Sequence, residues 1–309
     1  MLSRRAFLAT AAAALPAVAA RPKGVLIDAH IHLFAKDQSR FPFHASAPYR
    51  PNTSASPQDL EEYRLFIAES KIDHAVIVHP EPYQDDHSYL EHCFEHEPNP
   101  GFFKGTILFD AADSKSPARM RAIVQRFPKR IVAIRVHAMN PPDEAPVASG
   151  AIKNRDLRSA EMKTLWRAAG DLGLAVQMHM LPWHATELDP LAREFSSVPI
   201  VIDHLARSGM GNAADYEAVL ALANHRNVYM KYSGVGYSSR EAYPYDDAKP
   251  VVRRMYDAFG PERMLWGGLG YTMESLESNA KLLDRMFDFA PESARAQVRG
   301  LTAKKLFGF

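Results

Sequence analysis

The sequence predicts one α/β domain, a single (β/α)8 TIM barrel, and three observations carry that expectation. Eight short apolar runs recur along the 309 residues, most of them followed by a polar corner and a segment with helical spacing. The runs are apolar throughout rather than alternating, so the strands are covered on both faces, as in a parallel sheet. Histidines gather at or near the carboxyl ends of these runs, where barrel enzymes build their sites. A doubly wound open sheet would normally carry a glycine-rich turn after its first strand, and here that place holds histidines.

Taken in order, strands are expected at Val25–Ile27, His74–His79, Lys104–Phe109, Ile131–His137, Ala175–Met180, Pro199–Asp203, Val228–Ser233 and Met264–Trp266. The first helix is expected over Pro57–Ser70, with Ser56 as cap and Pro57 at its first position, where a missing N–H costs nothing. Ser88–Phe94 reads as helix, and its Cys93 as a small buried hydrophobe. Cys93 is the one cysteine, so no intramolecular disulfide is possible. Ser116–Phe127 follows. Ser159–Leu172 has Met162, Leu165, Trp166, Ala169 and Leu172 at helical spacing, between a Ser159 cap and Gly173. Ala213–Asn224, Lys249–Phe259 and Glu274–Phe289 complete the set.

Two segments exceed a minimal barrel. Ala35–Ala55 follows the first strand, and Met139–Arg158, with Pro141, Pro142 and Pro146, follows the fourth. Loops of that length in a compact domain usually serve function, and both leave the face where a barrel site lies. They are expected to wall a pocket.

With 37 basic against 36 acidic residues, the net charge is +1. That balance supports neither nucleic acid nor an anionic membrane as partner, and leaves a small-molecule substrate. At the N-terminus, Ser3-Arg4-Arg5-Ala6-Phe7-Leu8 leads into an alanine-rich run ending Ala17-Val18-Ala19-Ala20. This resembles a twin-arginine export signal over residues 1–20, cleaved near Ala19 or Ala20. The domain would then span 24–309 and be periplasmic or otherwise exported.

The chemistry centres on Ile27-Asp28-Ala29-His30-Ile31-His32. Side chains two apart on a strand share a face, and two imidazoles on one face can hold a divalent metal such as zinc. The spacing by itself equally allows two hydrogen-bonded histidines. The fourth strand ends Arg135-Val136-His137, the fifth carries His179, and the sixth leads into Asp203-His204. Arg135 could pair with a substrate carboxylate or form a structural ion pair. His79, Trp183, His184 and Arg207 leave the same face and are candidates for substrate binding, with Tyr49, Tyr237, Tyr243 and Tyr245 as loop aromatics. No GxSxG elbow, P-loop or CxxC pair is present.

Those motifs, with Lys231-Tyr232-Ser233-Gly234, Arg263-Met264-Leu265-Trp266-Gly267 and the stretch from His79 to Leu90, resemble the amidohydrolase superfamily. The nearest likeness is to the branch that includes 2-pyrone-4,6-dicarboxylate lactonase and sugar lactonases. It runs from about Val25 to Phe309. The resemblance implies that His30, His32 and His179 hold one divalent metal, zinc being the first choice. Several lactonases of the branch need no metal. The resemblance also puts His204 at the sixth-strand position, against a carbonyl or substrate.

One position departs from that pattern. The family's Trp-Gly-Ser-Asp after the eighth strand, whose aspartate ligates metal and takes the water's proton, reads Trp266-Gly267-Gly268-Leu269 here. Leucine does neither. Glu81, Asp110, Asp28 and Asp203 are replacements by position. The expected function is opening of a lactone or similar cyclic ester by water, with His204, Arg135 and His137 as catalytic residues. A non-oxidative decarboxylase of the same superfamily and a non-catalytic small-molecule-binding relative are the alternatives.

Overall fold

The computed structural model describes residues 24–51, 59–269 and 273–309. The export signal expected over residues 1–20 lies outside them, as do Ser56 and Pro57 of the expected first helix. Eight strands form one sheet in sequence order: β1 Ile27–Ile31, β2 His74–Val78, β3 Phe103–Ile107, β4 Ile131–Ala138, β5 Ala175–Met180, β6 Ile200–Ile202, β7 Val228–Tyr232 and β8 Met264–Trp266. Every neighbouring pair is parallel, and the sheet curls into a nearly closed (β/α)8 barrel.

The first strand begins two residues later than its apolar run and carries His30 within it. Its register against β2 slips between Asp28 and Ile31, which places an extra residue beside His30. Such a bulge re-aims side chains and is common beside active sites.

At the seam between β8 and β1 a few bonds from the turn after β8 replace a ladder. Gly268 N–H donates to Asp28 Oδ1 (2.8 Å) and Leu269 N–H to the His30 carbonyl (3.0 Å). A Cβ on Gly267 would lie 2.6 Å from the Cβ of His30, so only glycine lets the two strand ends close.

The helices are α1 Leu60–Ser70, α2 Ser88–Glu95, α3 Ser116–Arg126, α4 Ala160–Asp171, α5 Ala185–Glu194, α6 Ala213–Ala221, α7 Lys249–Phe259, α8 Met273–Met286, α9 Glu292–Ala296 and α10 Thr302–Phe307. Asp59 caps α1 by accepting from the N–H of Glu62, and Ser159 caps α4 through Met162 as its position suggests. Helix α5 is absent from the sequence expectation. Pro182 before it and Pro190 inside it break the local pattern, yet burial of Leu188, Leu191 and Ala192 in the hydrophobic core holds it together. Cys93 is buried in α2. Among the described residues no helix is long and apolar enough to cross a membrane.

The second long loop and the described part of the first, residues 35–51, contribute Met139, Lys153 and Tyr49 to a cavity over the carboxyl ends of the strands. The second is gathered around the buried Arg155. Its guanidinium donates to the carbonyls of Ala151 and Gly150 and grips Asp110 with two nitrogens (2.9 and 2.8 Å). Asp110 is thus a loop anchor rather than a base.

Candidate active site

The barrel interior beneath the cavity is charged. Asp203, at the end of β6, is fully buried and receives Arg135 Nη2 (3.1 Å) and Gln177 Nε2 (3.0 Å) on one oxygen. Its other oxygen, Oδ1, pairs with the buried Lys231 ammonium at 3.0 Å. Burial would raise the Asp203 pKa, but the Lys231 ammonium, the His30 ring and the Arg135 guanidinium outweigh it and hold the carboxyl well below its ordinary value. Burial lowers Lys231, opposed by Asp203. These groups sit within apolar strands because they neutralise one another. Arg135 therefore does form the internal ion pair, while still reaching the cavity floor.

Above this floor lie the histidines. His30 Nε2 is 3.2 Å from His32 Nε2, and His32 Nδ1 donates to the Val78 carbonyl at 2.7 Å. His30 Nδ1 faces Lys231 Nζ at 3.4 Å and Asp203 Oδ1 at 3.5 Å. His204 Nδ1 meets Ser233 Oγ at 2.8 Å. The rings of His30 and His179 lie 4.6 and 5.5 Å from that of His204. Burial, with Arg135 next, lowers His32 and His179 to about 3, and burial takes His30 and His204 well below their ordinary value. All four are neutral near pH 7.

His204 and Arg207 reach the cavity through an unusual backbone. Four successive residues, His204, Leu205, Ala206 and Arg207, take φ between +50° and +56°. Each costs roughly 1–2 kcal/mol outside glycine. Full burial of Leu205 and Ala206 holds the turn in place. It brings the Arg207 guanidinium 3.8 Å above the Tyr237 ring and its Nη2 to 3.1 Å from His179 Nε2.

The carboxylate in the cavity is Glu81, just after β2. Its Oε1 lies 2.9 Å from His137 Nε2 and 3.7 Å from His179 Nδ1. Burial raises its pKa, but His137, His179 and Arg135 outweigh that and keep it ionised. The cavity, about 250 Å³, is lined by Glu81 with His32, His179, His204, Arg135, Arg207, Lys153, Tyr49, Met139, Tyr237 and Leu269. Glu81 is the one carboxylate among these described residues.

Several expected site residues lie elsewhere. His79 Nε2 meets the Gln84 carbonyl and its ring packs on His87, so it holds the turn after β2 instead of lining the cavity. Trp183 Nε1 and His184 Nε2 both bond the Asn140 carbonyl, tying the long loop after β4 to the start of α5. His137 stands behind Glu81. His179 turns one ring edge to Glu81 and His137, which with it form a group whose ligand atoms lie within 4.8 Å of one another. Asp28 is committed to the backbone N–H groups of His30 and Gly268. Sequence reasoning gave no role to Gln177 or Lys153 and met Lys231 and Ser233 only inside a motif. The usable signal was a polar residue in an otherwise apolar strand.

The sequence model of the amidohydrolase family matches residues 27–309. The chain belongs to the amidohydrolase family. It is 24% identical over 305 residues to 4-sulfomuconolactone hydrolase of Hydrogenophaga intermedia, covering 91% of this chain and 88% of that one. It is 29% identical over 252 residues to L-fucono-1,5-lactonase of Burkholderia ambifaria, covering 78% of each. Among solved structures, a Pseudomonas putida protein described as a 2-pyrone-4,6-dicarboxylic acid hydrolase superposes with a TM-score of 0.73 at 20% identity, over 92% of this chain and 97% of that one. A Burkholderia multivorans amidohydrolase with bound zinc superposes at 0.69 and 16% identity, over 93% and 100%. At those identities the structural likeness carries the fold.

Proposed function

We propose that this amidohydrolase opens a lactone that carries an acidic group. The carrying observation is the cavity itself, where Glu81 faces three neutral imidazoles and the cationic Arg207 and Lys153. The named lactone hydrolases among its relatives support the same reaction class.

The chain's own groups divide the work. Arg207 and Lys153 attract the substrate's acid group, and their charge is concentrated by the low-dielectric walls. Ser233 Oγ lies 2.8 Å from His204 Nδ1, and with Ser233 as the donor His204 Nε2–H is left to hydrogen-bond the ring carbonyl and the oxyanion that develops from it. Glu81 takes the proton of the attacking water, and His137, 2.9 Å away, steadies the carboxylate. Glu81 thereby fills the role that Leu269, in place of an aspartate, cannot.

The donor set fits a divalent metal, with zinc the first choice. His32 already presents a bare Nε2, because its Nδ1 proton is committed to Val78. His179 presents a bare Nε2 to the Arg207 guanidinium. Asp203 Oδ1, which Lys231 holds at 3.0 Å, also stands 3.5 Å from His30 Nδ1, where a metal-bound histidine needs an outer acceptor. His30 and His32, 3.2 Å apart, would hold the ion, with His179, which groups with Glu81 and His137, as the third ligand that the family likeness implies. When bound, the ion supplies a Lewis acid and lowers the pKa of water.

The reading includes export by the twin-arginine route, supported by residues 3–20. The test is hydrolysis of a panel of carboxylated, sulfonated and neutral lactones, followed as acid release. Ring opening of acidic lactones is expected. Carbon dioxide release from an aromatic carboxylate panel would replace the reading with decarboxylation, and tight ligand binding without turnover would replace it with a binding protein.

A further inference from the structure

Four ring nitrogens decide how the His30–His32 pair is used. The Val78 carbonyl only accepts, so His32 Nδ1, 2.7 Å away, carries the ring proton and Nε2 is a lone pair. His30 Nε2 lies 3.2 Å from that lone pair, a hydrogen bond only if His30 donates. His30 Nδ1 is then bare. It faces the Lys231 ammonium at 3.4 Å, and an ammonium only donates. The Val78, His32 and Lys231 contacts agree on one tautomer, His30 Nε2–H, and Asp203 Oδ1, 3.5 Å from Nδ1, is the acceptor that would favour the other.

A metal at this pair needs the other tautomer. Zinc binds the lone pair of an imidazole nitrogen, and the nitrogen of His30 turned toward His32 is Nε2. The proton must leave Nε2 and be taken up at Nδ1, so the ring keeps one proton and its charge does not change. The acceptor that this exchange needs is Asp203 Oδ1, 3.5 Å from Nδ1, and Lys231 already occupies that oxygen at 3.0 Å. Lys231 opposes the exchange. Its N–H would meet an N–H, and its charge would stand one ring away from a bound dication.

We propose that Lys231 is a positioning residue that holds His30 in the Nε2–H form and so weakens divalent-metal binding at the His30–His32 pair. The pair then serves first as a hydrogen-bond donor toward an oxygen in the cavity. The proposal rests on the reading of His30 and His32 as the metal ligands. When Lys231 is replaced, Asp203 keeps Arg135 and Gln177 on Oδ2, and Oδ1 is left facing His30 Nδ1 at 3.5 Å.

The test uses the full chain freed of metal by a chelator. Long-range imidazole ¹⁵N spectra report which nitrogen of each ring is protonated, with His30 assigned through His30→Asn. Zinc competition against a chromogenic chelator reports affinity in the wild type and in Lys231→Met. The expected result is Nε2–H at His30 in the wild type, Nδ1–H in Lys231→Met, and zinc bound at least about tenfold more tightly by the variant. A wild-type His30 protonated at Nδ1, or zinc held no more tightly by Lys231→Met, overturns the proposal. If the variant does not fold, the wild-type spectrum decides. Neither readout involves lactone turnover, so failure of the proposed hydrolysis and failure of this inference are told apart.

Discussion

Leu269 donates its backbone N–H to the carbonyl of His30 at 3.0 Å, and does so with φ at +42°, in the left-handed region. This bond ties the turn after β8 to the strand that carries the histidine pair. It also points a leucine side chain into a polar cavity. Left-handed backbone is several-fold enriched in Asp and Asn and unfavourable for leucine.

Leu269→Asp should therefore fold without backbone strain, its thermal midpoint close to the wild type. It restores a carboxylate at the mouth. Zinc affinity and lactone turnover are both expected to rise, turnover by about tenfold, below the roughly 10²–10⁴-fold of a full general-base contribution. Calorimetric zinc titration and initial rates check this. No gain in either would show that position 269 does not face the reacting centre.

Glu81→Gln keeps the shape and an acceptor but removes the base. Turnover should fall by about 10²–10⁴-fold with KM changed far less, while circular dichroism stays that of the wild type. A loss confined to KM would make Glu81 a binding residue.

Lys153→Met removes a charge from the cavity wall supplied by the long loop after β4. KM for a carboxylated lactone should rise about tenfold, as for one lost charge-assisted contact, and KM for a neutral lactone by less than about twofold. Equal effects on both substrates would assign Lys153 to loop structure alone.

The buried His79 gives a pH signature separate from catalysis. Burial lowers its pKa from 6.5 to about 4, opposed by the Gln84 carbonyl. Between those values the unfolded chain binds more protons than the folded one. Its contribution is thus complete above pH 6.5 and lost as pH falls through about 4. The shift corresponds to about 3 kcal/mol. In urea unfolding from pH 7 to 4, His79→Gln should lose less stability than the wild type by roughly that amount. Parallel curves would show that His79 is not protonated on unfolding.

Eight apolar runs, their parallel arrangement and the clustering of histidines at strand ends were legible in the chain because they are local. A strand buried on both faces must be apolar along its length, and a ligand histidine must sit at its carboxyl end. The boundaries of β1 were not legible, since the bulge beside His30 depends on pairing with β2. Helix α5 was not legible, because its prolines speak against it and only packing overrides them.

The sequence by itself determined the barrel and that His30, His32, His179 and His204 meet near its mouth. Tertiary structure alone decided what each ring faces. Glu81 reaches His137 and His179 from a short turn after β2, some fifty and a hundred residues before them, and no local pattern announces that meeting. His79, Trp183 and His184 share the same strand ends yet turn to backbone carbonyls, because a loop carbonyl stands closer than the cavity. Lys231 meets His30 across 201 positions of sequence. Proton positions in a buried site follow from such contacts, and they exist only once the barrel has closed.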